Sequence, residues 1–183
     1  YNRNREFHVT VSPSMDILIS SNLERLLAHM GGQDATKAEM ESLNKTGSYK
    51  AEITETKISG EYATEAETFG AIKKFYEETG YVMDTHTAVA ASVYEKYQAS
   101  SKDEKKTVIA STASPYKFSR SVMTAIDARY EGLDEFDLVD ALEVISNVEI
   151  PNAVEEIRDA KILHTLECDA DKMEETVKNI LKG

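Results

Sequence analysis

The sequence predicts an α/β fold in which helices far outnumber a few mostly parallel strands, and three observations carry that reading. Thr107-Val108-Ile109-Ala110 is β-branched and apolar, the pattern of a short buried strand. Ser114 and Pro115 follow as a helix start, a hydroxyl N-cap and then a ring already set to helical φ. Through most of the remaining chain, apolar residues recur at spacings of three and four, the period of a helix with one buried face. Between the strand and the helix lies a corner of small hydroxyl residues, Ser111 and Thr112. In an open α/β sheet, ligands sit at the corner after a strand's carboxyl end. A hydroxyl pair there faces a ligand without filling its pocket; a plain strand-to-helix corner is the other reading.

In chain order, Phe7, Val9 and Val11 alternate with polar residues and predict a short strand that ends at the turn Ser12-Pro13-Ser14. Ser21 and Glu24 have capping-box spacing, Leu23, Leu26, Leu27 and Met30 mark one helix face, and Gly31-Gly32 stop the helix. Thr36 and Glu39 repeat the box and open a helix that Gly47 ends. Residues 49–60 stay open between strand and loop. From Ala63 a helix carries Phe69, Ile72 and Tyr76 on one face, with Gly80 just past its end. The next helix carries Val89, Val93 and Tyr97, and its polar tail, Ser100 to Lys106, reads as a solvated connector. After the strand and corner, Phe118, Val122 and Ile126 form a buried face. Leu138, Leu142 and Ile145 mark one more helix, residues 162–168 a weaker strand, and Met173, Val177 and Ile180 the last helix. So few strands do not make a self-sufficient sheet, because a strand buried on both faces needs neighbours for its backbone groups. The expectation is that those neighbours lie upstream of this chain, which begins Tyr1-Asn2-Arg3 without an initiator Met.

The 183 residues suit a single region, and 41% hydrophobic residues are enough for a core. No run is long enough to cross a membrane, and no signal peptide is apparent. A formal charge of −12, from 21 basic and 33 acidic residues, argues against non-specific nucleic-acid binding, which needs clustered Lys and Arg. The single Cys168 cannot form an internal disulfide, fits a reducing cytoplasm, and reads as a small buried apolar residue.

Asp84-Thr85-His86-Thr87-Ala88 stands just before a helix. One reading is a cap, with Asp84 or Thr85 accepting backbone N–H bonds. The other places His86 at the rim of a ligand site. His8, His29, His86 and His164 have no metal-ligand spacing, and His164 reads as an interior or edge residue. Composition permits a Ser-His-Asp triad, but there is no G-x-S-x-G elbow, no GxGxxG and no Walker A sequence. Arg25 in the first helix can grip an anion, or simply make a surface ion pair.

Five stretches taken together resemble the C-terminal part of threonine synthase, a pyridoxal-phosphate enzyme of the tryptophan-synthase-β-like fold (fold type II). They are Ser12 to Ile17, Ser20 to Arg25, Thr79 to Val89, Ser111 to Phe118, and the tail from Ile150 to Cys168. They occur in the family's order, span nearly the whole chain, and are most similar to the branch shared by fungi and many bacteria. Ser114 departs from a frequent His, Tyr116 from a frequent small residue and Thr85 from a common Pro, so the role of that His does not carry over.

The resemblance implies conversion of O-phospho-L-homoserine and water to L-threonine and phosphate, with pyridoxal 5'-phosphate as electron sink. In the family a Lys from an N-terminal motif holds the cofactor as a Schiff base, and a Gly/Asn-rich loop binds its phosphate. Neither motif is present in these residues, so the resemblance assigns no catalytic residue to this chain and implies that it is inactive alone. The position of Thr112 contacts the pyridine nitrogen in the family, and Ser111 flanks it. His86 and Arg25 are candidate substrate contacts, no metal is expected, and the partners implied are the small-molecule substrate and an N-terminal portion of the same protein, with self-association through uncovered apolar surface. Two competing readings are an acidic helical protein-interaction module without catalysis and a degenerate relative that binds ligand only.

Overall fold

The computed structural model describes residues 1–51 and 58–182 and divides the chain into two units, Tyr1–Ile150 and Pro151–Gly183. Among its described residues the first unit holds six α-helices: α1 (Ser21–Gly31), α2 (Gln33–Thr46), α3 (Glu65–Thr79), α4 (Thr85–Ser101), α5 (Ser119–Ile126) and α6 (Glu135–Ser146). Helix α1 packs on α2, α3 on both α4 and α5, and α5 on α6. The apolar spacing explains this packing: Leu43, Ile72, Ala88, Ala91, Val122, Met123, Leu138 and Leu142 are all fully buried. The second unit holds α7 (Asn152–Arg158) and α8 (Met173–Lys182). The face expected on the last helix is present, but Met173, Val177 and Ile180 are exposed within it.

Local side-chain chemistry sets the helix ends. Thr64 and Glu67 form a reciprocal capping box at the start of α3: the Thr64 N–H donates to Glu67 Oε2 at 2.7 Å, and the Glu67 N–H to Thr64 Oγ1 at 3.3 Å. The box expected at Ser21 does not form: Ser20 is the N-cap, its Oγ accepting from the Leu23 N–H, and Leu23 has no side-chain acceptor to answer it. The box expected at Thr36 does not form. Gly32, at a φ of 88°, lets the chain reverse straight from α1 into α2, so Thr36 lies a turn inside the helix and donates its hydroxyl to the Gly32 carbonyl. Gly47 ends α2 at a φ of 81°, with the Asn4 side chain packed where a Cβ would stand.

The parallel strands are a correction. Among the described residues there is no strand, only an isolated antiparallel bridge between Asn2 and Ser48. Thr107 to Ala110 forms no strand and pairs with no neighbour among the described residues, with Val108 94% exposed. Phe7 to Val11 and 162–168 are likewise irregular; Cys168 is exposed where burial was expected, and His164, read as an interior or edge residue, is exposed too. The reason is common to all three segments: a strand persists only where a neighbour takes its backbone donors and acceptors, and no described residue supplies that neighbour. Part of the 49–60 stretch, residues 52–57, lies outside the described residues. No described helix is long and apolar enough to cross a membrane.

Candidate functional site

The first turn of α4 is the most heavily buried polar segment of the chain. Asp84, Thr85, His86 and Thr87 are each 5% exposed or less. Gly80, at a φ of 73°, closes α3, and Val82 and Met83 bury themselves on the way to α4, which carries Asp84 inside with them. Asp84 is the N-cap: its Oδ1 accepts the His86 N–H at 2.8 Å and the Thr87 N–H at 3.1 Å. Its Oδ2 accepts the Thr87 hydroxyl and lies 3.4 Å from Ser111 Oγ. A buried carboxylate is tolerable only when its lone pairs meet donors, and this one meets three, with Ser111 Oγ at hand as a fourth.

Ser111 therefore joins α4 from across the fold, its Oγ also 3.0 Å from Thr87 Oγ1. Thr87 has one hydroxyl proton, and the carboxylate takes it. The Ser111 proton then turns inward to Thr87 or Asp84, which leaves Ser111 only lone pairs for anything outside. Its neighbour Thr112 is exposed and lies outside these hydrogen bonds. The turn after the corner is held in place as expected. Ser114 Oγ caps it by accepting from the Tyr116 N–H, and the Tyr116 hydroxyl donates to the Val148 carbonyl at 2.5 Å. Burial pushes the Tyr116 phenol above its usual range.

His86 sits between two other segments. Its Nδ1 lies 2.5 Å from Ser12 Oγ, and its ring meets Phe118 edge-on with centroids 4.8 Å apart. His86 Nε2 and Thr85 Oγ1 are buried without a hydrogen-bond partner among the described residues. Ser12, 1% exposed, was legible only as a turn residue. It is one, since its carbonyl accepts the Met15 N–H, but nothing local shows that its side chain meets a residue 74 positions on. Arg25 stands apart on α1, where its guanidinium donates to Asn22 on the same helix, beside a cleft lined by α2 residues Lys37 and Met40. The network thus joins Ser111 and His86 through Asp84 and Thr87, and leaves Thr112 and Arg25 outside it.

A larger, more apolar cavity of about 570 Å³ runs between α4 and the 107–110 segment, lined by Val93, Tyr94, Tyr97, Val108 and Ile109. No group of three or more His, Cys, Asp or Glu side chains among the described residues is placed to hold a metal ion.

Residues 87–167 match the family "Threonine synthase, C-terminal". The chain is 37% identical over 131 residues to the human protein "Threonine synthase-like 1", covering 68% of this chain and 17% of that relative. It is 33% identical over 147 residues to "Threonine synthase" of Saccharomyces cerevisiae, covering 69% of this chain and 29% of the yeast protein. Its fold is similar to the crystal structure of PLP-bound threonine synthase from Brucella melitensis, with a TM-score of 0.54 and 26% identity over 78% of this chain and 35% of that one. The chain thus spans less than a third of these two relatives. The likeness to the C-terminal part of threonine synthase holds, and the family match runs from Thr87 in the α4 turn past the Ser111 corner.

Proposed function

From the premise that residues 87–167 are of the threonine synthase C-terminal family, we propose that this chain forms one wall of a pyridoxal-phosphate site. There O-phospho-L-homoserine and water become L-threonine and phosphate. The chain's own chemistry fits that group. A hydroxyl corner, a buried imidazole nitrogen and a buried threonine hydroxyl, the last two unpartnered, suit a ligand rich in anionic oxygens. The observation that carries the reading is the Asp84–Thr87–Ser111 network, which fixes the corner against the start of α4, with Thr87 and Ser111 both in the matched region.

When bound, the cofactor supplies an electron sink for carbanion chemistry. The residues of this chain bind and orient. With the Ser111 proton drawn inward, Thr112 is the hydroxyl of the corner free to donate to a ring nitrogen. A neutral hydroxyl offers no charge to keep that nitrogen protonated, unlike a carboxylate. Asp84 holds the corner through Thr87 without touching the ligand. In this reading His86 is the substrate contact on the α4 turn, and Arg25, apart on α1, is a second candidate that would reach the substrate only after leaving Asn22. A lysine elsewhere in the protein carries the cofactor, so the 183 residues alone are inactive, and the apolar cavity beside 107–110 is covered by further sequence of the protein. The setting is the cytoplasm.

The test is production of threonine from O-phospho-L-homoserine by the complete protein that carries this chain, with pyridoxal phosphate present. The expected result is turnover with release of one phosphate per threonine. Retained cofactor without any turnover would favour the ligand-binding relative, and neither would favour the acidic interaction module.

A further inference from the structure

We propose that Ser12 is a positioning residue that locks His86 in its Nε2–H tautomer, so that the first turn of α4 presents a buried N–H donor to an anionic oxygen of a ligand. This rests on the reading of α4 as part of a ligand site. The argument is one of counting protons. Ser12 Oγ and His86 Nδ1 are 2.5 Å apart, both residues are at least nine-tenths buried, and no second acceptor for the Ser12 hydroxyl is found among the described residues.

If Nδ1 carried the proton, it would donate to Ser12 Oγ. The Ser12 proton would then be buried without an acceptor, and Nε2 would be a buried acceptor without a donor. If instead Ser12 donates to Nδ1, the ring proton sits on Nε2, and a single unpaired group remains. A buried donor or acceptor left without a partner is costly, so the arrangement with fewer such groups is the stable one. Phe118, edge-on to the ring, offers no hydrogen-bond acceptor in its plane. The remaining Nε2–H and the unpaired Thr85 Oγ1 belong to consecutive residues of one helical turn. An unpaired N–H donor in the first turn of a helix, where the N-terminus favours negative charge, suits a phosphoryl or carboxylate oxygen.

The experiment uses the complete protein with 15N-labelled histidine, the His86 signals being assigned by their loss in His86→Gln. Long-range 15N–1H correlations show which ring nitrogen bears the proton. The expected result is protonation at Nε2 alone, with inorganic phosphate or acetate shifting the Nε2 resonance; the stronger of the two names the phosphoryl or the carboxylate class. Ser12→Ala should give a mixture of tautomers and weaken the anion response about 10-fold, while Ser12→Thr, which keeps the hydroxyl, restores both. Protonation at Nδ1 or at both nitrogens in the parent protein would overturn the proposal. So would an unchanged tautomer in Ser12→Ala, or a resonance that neither anion moves. Circular dichroism confirms that each variant is folded, and the tautomer of the unsubstituted protein decides the matter without any variant. Cofactor absorbance on the same samples separates the two readings: a locked tautomer that answers to anions, in a protein that binds no pyridoxal phosphate, contradicts the proposed function and leaves the Ser12 lock standing.

Discussion

The first turn of α4 and the 107–112 segment both lie on the candidate site, yet one is almost wholly buried and the other almost wholly exposed. Asp84 to Thr87 are 5% exposed or less, whereas Val108 is 94% exposed and Thr112 is open to solvent. Within the α4 turn the Asp84 carboxylate is satisfied by partners close in sequence, the His86 and Thr87 backbone N–H groups and the Thr87 hydroxyl, with Ser111 added from outside. The 107–110 segment has the composition of a strand but needs a ladder that no described residue provides. Segments that complete themselves locally are settled within this chain; segments that need distant partners are left open by it.

The sharpest way to break this comparison is to ask the chain to act by itself. If the site is shared with sequence elsewhere in the protein, the isolated 183 residues make no threonine, a complete loss relative to the full protein. Borohydride reduction in the presence of pyridoxal phosphate should then give scattered, substoichiometric lysine adducts by peptide mapping. One stoichiometric adduct at a single lysine, together with turnover, would show that these residues need no partner.

Next in size is Thr112, on the exposed side. In the complete protein Thr112→Ala should lower turnover about 100-fold, the scale of a misplaced reacting centre. Cofactor retention should fall only modestly, because a neutral hydrogen bond contributes roughly 0.5–1.5 kcal/mol net. Thr112→Ser should keep much of both, as steady-state rates and equilibrium dialysis will show.

The buried side is tested through stability. Asp84→Ala removes the cap and strands two backbone N–H groups away from water, and should destabilise the fold by about 2 kcal/mol. Ser114→Ala removes an exposed cap and should cost about 0.5–1 kcal/mol. Urea unfolding of the two variants reads the difference, and equal losses would mean that burial does not distinguish the two caps.

The smallest effect belongs to Glu67, on the surface where α3 meets α4. The Thr64 backbone N–H, with Lys96 beside it, pulls the Glu67 carboxyl down to about 2. An unfolded glutamate titrates near 4.3, so the folded state prefers the charged form. The stabilisation is complete above about pH 4.3 and fades as the pH falls towards 2. The thermal midpoint of Glu67→Gln should therefore lie below that of the parent at neutral pH, and the gap should close in acid. A gap constant with pH would mean that the charge contributes nothing.

What the sequence made legible follows the same divide. The Asp84 cap, the Ser114-Pro115 helix start, and the buried faces around Ile72, Val122, Leu138 and Leu142 rest on short-range patterns, and the structure shows them. The Thr36 box was misread because Gly31-Gly32 reverses the chain directly from helix to helix, so no second cap is required. Capping geometry depends on three or four residues and can be read from them. The Ser12–His86 contact spans 74 positions, and the link from Ser111 back to Asp84 spans 27; no periodicity encodes either. Only the order of stretches resembling a known family placed Ser12, Asp84 and Ser111 in one context.

The account rests most heavily on the Ser111-Thr112 corner facing the cofactor ring, and the ring nitrogen reports on that directly. The complete protein would be loaded with pyridoxal phosphate labelled with 15N in the ring, and the nitrogen resonance compared in the parent, Thr112→Ser and Thr112→Ala. The account predicts an unprotonated nitrogen that accepts a hydrogen bond in the first two, and a resonance displaced towards that of a free pyridine in the third. The same resonance in all three proteins, or a fully protonated nitrogen in the parent, would contradict it.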